Sequence, residues 1–424
     1  MSTWNQRIGA SGLAAPVSLL ALSLAGVWWA FPAGLAFWRA VAIVTAWAGT
    51  GLLVGSLALM VRTSRWAALM GGLDNMYRWH HRGGVIGYEF LLCHPLALGL
   101  AGLEESPRGA WLTISPWDLS WPEWLGWLGV LFLMAGLAST FSRRIGYRPW
   151  RAFHYLTALG VVSGLTHVFV LLGEAGAFFG FIAIAAVALA WRLLAIDRGL
   201  TAHPFRVAEV ASKAPDMIEA TLAPCAGALP VTPGQFVLAA FGDGPAYSGC
   251  REFHPFTVSG IGSDGALSVG IKALGPCTRR IQSLKPGVLV RLQGPFGRFL
   301  AGARHTPQLW IAGGIGITPF IAAVRTGKLP QPTTLLYLVR EEGDAAFLVE
   351  LKARADIDPE FELVAEACGK RLPDVTGLLS RVARLNERQV QICGPAGLVK
   401  AFTARLLELG LSRQSIHSES FDFR

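Results

Sequence analysis

Six apolar runs of bilayer-spanning length fill the first half of this sequence. They lie near 13–31, 36–61, 84–103, 121–141, 153–173 and 176–196. A helix of about 20 apolar residues crosses a hydrocarbon core of roughly 30 Å. Because lipid offers no hydrogen bonds to the backbone, helices are the usual way for such runs to cross it. The first half therefore predicts an all-α six-helix membrane bundle.

The distribution of charge separates this half from the rest of the chain. Of the 424 residues, 52% are hydrophobic and 15% are charged, whereas soluble domains carry about 25% charged residues. Only eight of the 28 acidic residues precede position 200. We therefore predict a membrane domain over 1–198 and soluble domains after it.

Basic residues in the first half cluster at the ends of apolar runs, which favours membrane lipid rather than nucleic acid as their partner despite the net charge of +9. The positive-inside rule makes the connections near 62–82 and 143–151 cytoplasmic. Six spans then place both termini in the cytoplasm, and the N-terminus lacks the basic segment of a cleaved signal peptide. We expect a multi-pass protein of the bacterial inner (plasma) membrane.

The second half changes character near residue 200. Short β-rich runs broken by Gly and Pro, such as QFVLAAF and ALSVGIKAL, predict an antiparallel barrel over 199–303. From 307 onward, strand-like runs alternate with helix-like ones, which predicts an α/β nucleotide-binding domain over 304–424.

Histidines recur inside two of the apolar runs. His80 and His94 are 14 residues apart, which is about 40° short of four helical turns and about 21 Å of rise, so both lie on one face. His154 and His167 are 13 residues apart, with about 19.5 Å of rise but an angular offset of about 140°.

Two helices with histidines at two depths can offer a pair of imidazoles at each depth. Imidazole is a good ligand for iron, and an ionisable residue inside a membrane helix is functional by default. We predict two stacked b-type haems, ligated by His80 with His154 on the inner side and by His94 with His167 on the outer side. His81 stays an alternative to His80, although the shared face favours His80.

Two motifs of the barrel region predict an FAD site. In REFHPFTVSG, an aromatic and proline cluster can lie against an isoalloxazine ring, and Thr257 can hydrogen-bond its edge. IKALGPCT adds Lys272 and a glycine that admits a pyrophosphate closely, and we include Thr278 at its end among the FAD-binding candidates.

WIAGGIGITPF predicts a strand that turns into a helix at a phosphate site. The glycines Gly313, Gly314 and Gly316 allow a close approach, Thr318 is expected to cap the helix, and Pro319 suits its first turn. Phosphate would then bind at the helix N-terminus.

ICGPAG repeats the strand-to-helix pattern. Cys393 is expected at the carboxyl end of its strand, beside a nicotinamide ring. Arg340, at the end of TTLLYLVR, is placed to meet an adenosine 2′-phosphate, assisted by Lys370 and Arg371. The preference for NADPH over NADH depends mainly on Arg340.

Together these motifs resemble the NADPH oxidase and ferric reductase superfamily, specifically its bacterial NADPH-oxidase-like members. LDNMYRWH resembles the family's approach to its first haem ligand. HPFT is similar to its FAD motif (His254, Pro255, Phe256 and Thr257), GGIGITPF to its NADPH-phosphate motif, and CGP to its nicotinamide motif (Cys393, Gly394 and Pro395). The resemblance implies a ferredoxin-reductase-like module after the bundle. ESFDFR is similar to the family's terminus, which implies that Phe421 stacks on the flavin, with Phe423 as the alternative.

The resemblance implies electron transfer from cytosolic NADPH through FAD and two haems to an extracytoplasmic acceptor. The favoured acceptor is dioxygen, which would give superoxide. The alternatives are a ferric or other metal reductase and an electron-transfer module for a periplasmic partner or quinone. No regulatory partner motif is evident, so we expect constitutive activity.

The six cysteines show neither a CxxC motif nor a Cys/His zinc spacing. The sequence therefore predicts no disulfide framework and no structural zinc site.

Overall fold

The computed structural model describes residues 10–420 except 32, 116, 143–144, 173–177, 245–246, 302–305, 328, 330 and 370. The chain divides into two compact units, Met1–Leu200 and Thr201–Arg424. The predicted division into three domains, at 198/199 and 303/304, stays a prediction.

All of the regular secondary structure that is described in the first unit is helical. Its helices are α1 (Ala10–Trp29), α2 (Phe37–Ala58), α3 (Ser64–Leu69), α4 (Leu73–Glu105), α5 (Pro107–Ile114), α6 (Trp121–Phe141), α7 (Tyr147–Leu172) and α8 (Phe178–Ala190), which a π-helical turn extends over Trp191–Asp197. Six of these are long and apolar enough to cross a membrane. The six-helix prediction is confirmed, and the chain is a multi-pass membrane protein.

The observed helices differ from the predicted runs mainly at their ends. The third run was expected to begin near 84, yet α4 begins at Leu73, so His80 and His94 lie on one continuous helix. The short helices α3 and α5 were not predicted. Each begins with a hydroxyl cap, in which Thr63 accepts from the Trp66 amide and Ser106 from the Gly109 amide.

Glycines allow the long helices to pack closely in pairs. A Cβ added at Gly49 of α2 would lie 2.7 Å from the Gly87 carbonyl oxygen of α4. A Cβ added at Gly160 of α7 would lie 2.9 Å from the Gly129 carbonyl oxygen of α6. Small residues at helix contacts are typical of membrane bundles, where close backbone packing replaces the hydrophobic effect. The bundle is thus built from the pairs α2–α4 and α6–α7.

The second unit begins with a closed barrel of six strands in the order β1–β2–β5–β4–β3–β6. The strands are β1 (His203–Ala214), β2 (Met217–Pro224), β3 (Phe236–Phe241), β4 (His254–Ile261), β5 (Leu267–Lys272) and β6 (Leu289–Phe296), with α9 (Pro276–Ile281) between the last two. Every pairing is antiparallel, as the strand-and-turn pattern predicted. Phe205, Val258 and Leu292 are among the buried residues of the barrel core.

The α/β part follows with a five-stranded parallel sheet in the order β11–β10–β7–β8–β9. Its strands are β7 (Gln308–Gly313), β8 (Thr333–Val339), β9 (Phe361–Ala367), β10 (Gln389–Gly394) and β11 (Ile416–Ser420), and its helices are α10 (Thr318–Arg325), α11 (Leu348–Ile357), α12 (Val375–Ser380) and α13 (Ala396–Glu408). The strand order reverses between β7 and β10. Ligands of doubly wound sheets bind outside the carboxyl ends of the strands at such a point.

Candidate functional site

The structure brings His80 of α4 to His154 of α7. Their ring centroids are 6.1 Å apart, with an angle of 79° between the ring planes. The Nδ1 atom of His80 lies 3.0 Å from the Ser56 carbonyl oxygen and 2.9 Å from the Ser56 hydroxyl. Because a carbonyl oxygen only accepts, Nδ1 carries the proton, and Nε2 keeps its lone pair.

His154 is oriented by an aromatic neighbour. Its ring stacks on that of Trp150 at 5.1 Å between centroids and 16° between planes. Its Nδ1 atom is buried and has no hydrogen-bond partner among the described residues. A buried imidazole nitrogen without a partner is costly, so this ring is not a satisfied core histidine.

His94 and His167 form a second level. The Nδ1 atom of His94 lies 2.9 Å from the Ala42 carbonyl oxygen, and that of His167 lies 2.7 Å from the Pro122 carbonyl oxygen. The two rings are close enough to interact electrostatically. Gly126 of α6 makes room for the second ring, because a Cβ there would lie 3.1 Å from its Cε1 atom.

The donors of these histidines fit a metal ion. With metal–nitrogen bonds of about 2.0–2.1 Å, two imidazoles that share one ion would have ring centroids at most about 6.4 Å apart, and those of His80 and His154 are 6.1 Å apart. A metal-bound histidine usually donates its other ring N–H to a backbone carbonyl or a carboxylate, as His80, His94 and His167 are placed to do. The inner pair therefore fits haem iron by distance and by donor chemistry, and the outer pair fits it by donor chemistry.

His81, the alternative inner ligand, is on a different face of α4. Its side chain is exposed, and its ring centroid lies 6.1 Å from that of Phe141. The structure therefore brings His80 to His154, and it points His81 elsewhere.

The predicted angular mismatch between His154 and His167 is resolved without a break in the helix. Residues 147–172 form one continuous α-helix. Instead, the two histidines have different neighbours, since His154 faces α4 whereas His167 reaches the N-terminal end of α6. The glycines of α7 serve the contact with α6.

The two predicted FAD motifs of the barrel region lie on neighbouring strands. His254, Pro255, Phe256 and Thr257 open β4, where Phe256 and Thr257 are buried. The strand β4 pairs with β5, which ends at Lys272, and α9 follows.

Thr278 organises the turn before α9. Its hydroxyl accepts hydrogen bonds from the amides of Leu274 at 2.9 Å and Gly275 at 2.8 Å. The Lys272 ammonium lies 3.4 Å from the Asp216 carboxylate. The segment thus combines a fixed turn with a positive charge, which suits a pyrophosphate.

The glycine motif and the CGP motif come together at the carboxyl ends of β7 and β10. A Cβ added at Gly313 would lie 2.9 Å from Pro395, and one added at Gly316 would lie 2.1 Å from the Cys393 carbonyl oxygen. Gly314 has a φ of +54°, in the left-handed region that favours glycine. The motifs are therefore glycine-rich because two backbones pass in contact.

The predicted helix cap at Thr318 is wrong. A 3₁₀ turn, Gly314–Ile317, runs directly into α10, and Ile317 is already in the helical conformation. The Thr318 hydroxyl instead donates to the Ile315 carbonyl oxygen at 3.0 Å. Pro319 does lie in the first helical turn, as predicted.

Arg340 directly follows β8, the neighbour of β7, and its side chain is exposed. Arg371 follows β9 and is also exposed. Both therefore lie at the edge of the sheet that carries the glycine motif. Lys370, Phe421 and Phe423 lie outside the described residues.

Cys393 is fully buried at the end of β10. Burial raises the pKa of its thiol well above the ordinary value, and the Glu419 carboxylate adds to that effect. The side chain is therefore a neutral thiol at physiological pH, suited to packing against a ring rather than to nucleophilic attack.

Two clusters in the second unit were missed in the sequence. Arg325 of α10 donates to Glu219 of β2 at 2.6 Å and to Glu350 of α11 at 2.7 Å, which joins the barrel to the α/β part. The other cluster is Cys250, His254 and Cys277, whose ligand atoms all lie within 4.8 Å of one another.

The absence of a structural zinc site stays a prediction, although these three side chains lie close enough together to hold a metal ion. Cys250 and His254 are four residues apart, a usable signal, but Cys277 comes from another segment. Burial would raise the pKa of the Cys250 thiol, yet contacts with His254 and Cys277 outweigh it and lower that pKa.

Two family models match the chain. Residues 45–165 match the ferric reductase like transmembrane component, and residues 201–291 match an FAD-binding domain. The first match includes three of the four predicted haem ligands, and the second includes the predicted FAD residues other than Phe421.

Curated relatives match mainly the second half. A Ralstonia ferredoxin–NAD(P)⁺ reductase component of naphthalene 1,2-dioxygenase/salicylate 5-hydroxylase systems is 29% identical over 181 residues, covering 39% of this chain and 55% of that protein. A Mycobacterium tuberculosis NADPH oxidoreductase is 31% identical over 182 residues, covering 42% and 45%. The chain thus spans about half the length of these relatives.

Among solved structures, the FAD/NAD-binding domain of a Vibrio cholerae nitric oxide dioxygenase is 22% identical, with a TM-score of 0.45, and covers 52% of this chain and 98% of that one. The ferredoxin reductase of a carbazole 1,9a-dioxygenase is 22% identical, with a TM-score of 0.44, and covers 52% and 69%.

The family matches agree in order with the helical bundle and the barrel that follows it. The chain therefore has the NADPH oxidase/ferric reductase-like architecture, a ferric-reductase-like transmembrane component followed by an FAD-binding reductase module.

Proposed function

We propose that this protein transfers electrons from cytosolic NADPH through FAD and two b-type haems to dioxygen on the far side of the membrane, giving superoxide. The observation that carries the proposal is the arrangement of four histidines at two levels of the bundle. His80 and His154 are 6.1 Å apart between ring centroids, and the two levels lie on the same pair of helices, α4 and α7.

The carbonyl groups of the bundle prepare these histidines as ligands. The carbonyls of Ser56, Ala42 and Pro122 hold the Nδ1 protons of His80, His94 and His167, which leaves Nε2 as the coordinating atom. Bound FAD accepts a two-electron hydride and releases electrons singly, and each haem carries one electron at a time.

In the soluble unit, the residues bind and orient the cofactors. Phe256 and Thr257 would lie along the flavin, Thr278 and Lys272 would hold the pyrophosphate segment, and Arg340 would recognise the adenosine 2′-phosphate. Cys393, Gly394 and Pro395 would form the floor for nicotinamide, and the Cys393 thiol is neutral and buried. Phe421 would stack on the flavin, as the family resemblance implies.

Charge asymmetry supports an orientation. Arg62, Arg65 and Arg82 lie on the side of the bundle where α4 begins, and Arg192 and Arg198 lie where the first unit ends. By the positive-inside rule this side is cytoplasmic, so His80 with His154 is the inner pair. We propose a bacterial inner membrane location with both termini in the cytoplasm.

The choice of dioxygen follows from the ligands. If two imidazoles at each level were bound to a haem iron, no coordination site would remain for the acceptor, which would take an electron without binding the metal. Dioxygen can do this at an exposed haem edge.

An anaerobic absorption spectrum of the purified full chain tests the proposal. Addition of NADPH with FAD should give sharp reduced b-haem bands at about two haems per chain. Admission of air should then reoxidise the haems and reduce cytochrome c in a reaction that superoxide dismutase abolishes. A flavin signal without haem bands would overturn the proposal.

A ferric reductase is the second candidate, because the matched transmembrane model is described as a ferric reductase like component. Reduction of ferric chelates that is insensitive to superoxide dismutase would favour it. Slow oxygen consumption that rises with an added periplasmic partner or a quinone would instead indicate an electron-transfer module. We expect turnover without any regulatory subunit.

A further inference from the structure

We propose that Cys250, His254 and Cys277 form a binding site for a zinc-class divalent metal ion on the barrel. Nothing in the electron path described above uses the two thiols. The three ligand atoms lie within 4.8 Å of one another, and they come from two segments that are separate in sequence. Two sulfurs and one imidazole nitrogen are the ligands that zinc prefers.

The distances suit a tetrahedral ion. Bonds of about 2.3 Å to sulfur and about 2.0 Å to nitrogen place two such ligand atoms about 3.5 Å apart. The Cys250 Sγ atom lies 3.8 Å from His254 Nε2, so only a small closure is needed. An ion bound there would take both thiols as thiolates and release their protons.

Glu252 provides the fourth ligand of the site, a carboxylate oxygen beside the cluster. One of its carboxylate oxygens lies 3.9 Å from His254 Nε2 and 3.9 Å from Cys277 Sγ. Its side chain is 14% exposed and that of His254 is 30% exposed, while Cys250 is buried. The site is therefore enclosed at Cys250, whereas Cys277 is only partly buried and the imidazole side is open to entry.

The loop that presents Cys250 is held in place. Arg251 has a φ of +53°, a conformation that non-glycine residues rarely adopt. Asp243 stabilises this bend, since it accepts the Gly249 amide at 3.0 Å and pairs with the Arg251 guanidinium. Cys250 and Glu252, the sequence neighbours of Arg251, are thus held at this bend.

The site would join two segments of the proposed FAD site. His254 begins the HPFT strand, and Cys277 precedes Thr278 in α9. A bound zinc ion would therefore tie the pyrophosphate turn to the flavin strand. If the proposed FAD site is correct, zinc loading should slow the release of FAD, but metal binding itself does not depend on it.

The test is the zinc content of the detergent-purified full chain, after loading with Zn²⁺ and gel filtration. We expect about one zinc per chain and an X-ray absorption spectrum at the zinc edge with a sulfur shell at about 2.3 Å. Haem iron does not interfere at that edge. Cys250→Ser and Cys277→Ser should each lose the zinc, whereas Cys225→Ser, at an exposed cysteine, should retain it.

Three results would overturn the site. One is a wild-type chain that retains no zinc, and another is a zinc edge without a sulfur shell. The third is a Cys250–Cys277 disulfide, seen by mass spectrometry in protein purified under reducing conditions. The spectrum of the wild-type protein decides the question even if the serine variants fold poorly. Because neither readout needs FAD, NADPH or haem, failure here is distinct from failure of the proposed electron path.

Discussion

The two units of the molecule bury polar groups in different ways. In the bundle, histidine side chains contact backbone carbonyl oxygens of neighbouring helices. The Nδ1 atom of His94 contacts the Ala42 oxygen, and that of His167 contacts the Pro122 oxygen. In the soluble unit, the Arg325 guanidinium is held between the carboxylates of Glu219 and Glu350. A full charge in lipid is costly, whereas a neutral imidazole needs only one acceptor and keeps a free nitrogen.

The difference has a functional consequence. A carbonyl partner satisfies one nitrogen and leaves the other available to a metal, so the polar groups of the bundle can act as ligands. The two carboxylates and the Ser259 carbonyl oxygen use the donors of the Arg325 guanidinium, so this polar group of the second unit is a structural joint between barrel and sheet. Substitutions in the two units should therefore fail in different ways.

Removal of a histidine ligand should have the largest effect. His154→Ala and His167→Ala should each lose one of the two haems, and NADPH-driven superoxide formation should fall by more than about 100-fold, since even outer partners of a metal ligand are worth about 10–100-fold. Flavin reduction by NADPH should persist. Pyridine haemochrome content and stopped-flow absorbance measure both.

His81→Ala is the matched control for these variants. Its side chain is exposed and faces away from His154, so both haems should be retained. Loss of one haem in this variant, with retention of both in His80→Ala, would exchange the two assignments.

The ion pairs of Arg325 in the second unit should affect the stability of the fold and not the haem content. Arg325→Met leaves Glu219 buried and without its main partner, and it should lower the free energy of unfolding by about 3 kcal/mol. Haem content should be unchanged. Arg381→Met, which breaks an exposed pair with Glu366 at 3.6 Å, should cost less than about 0.5 kcal/mol. Thermal unfolding followed by flavin fluorescence compares them; equal costs would refute the joint.

The same joint predicts a pH dependence. Burial would raise the pKa of Glu219, but hydrogen bonds from Arg325 and Ser259 and the charges of Arg325 and Lys213 outweigh it and lower that pKa. Its stabilising contribution is therefore present above the ordinary carboxyl pKa and is lost as the pH falls through the lowered value. Arg325→Met should flatten the acid side of the stability profile, and an unaltered profile would contradict the assignment.

Arg340→Ala should have an intermediate effect, confined to one substrate. Loss of hydrogen bonds to a charged 2′-phosphate costs about 1.5–3 kcal/mol, so the KM for NADPH should rise by roughly 10- to 100-fold. The KM for NADH is the internal control and should not change. Steady-state kinetics with both nucleotides measure this, and parallel changes would show that Arg340 does not read the phosphate.

The smallest effect is expected for a residue that only packs against a proposed haem ligand. Gly126→Ala would place a Cβ 3.1–3.2 Å from the His167 ring atoms, and the ring would have to shift by a few tenths of an ångström. We expect about tenfold weaker retention of the outer haem. Gly164→Ala, which has open space around its Cβ, is the control. Competition with apomyoglobin for haem measures retention; identical loss in both variants would contradict a specific contact.

Much of the architecture could be predicted because it depends on patterns local in sequence. Hydropathy marked the six spans, and α6 has the predicted bounds of 121–141. Alternating strand and helix runs located the strands of the parallel sheet, such as Gln389–Gly394. Histidine spacing pointed to α4 and α7, and the structure brings His80 of α4 to His154 of α7. Helix caps were less predictable, since Thr318 has the right residue type but its hydroxyl turns back to Ile315.

The sequence by itself determined which half of the chain is apolar enough to span a membrane. It also determined the order of the motifs and the residues able to ligate metal. Hydropathy, charge and chemical type are carried by single residues and their near neighbours. Only the tertiary structure decided which groups meet. It brings carbonyl oxygens to the Nδ1 atoms of the histidines, Arg325 between two carboxylates, and Cys277 close to Cys250 and His254. Those contacts join distant segments, and the closure of the barrel and the crossing of the helices bring them together.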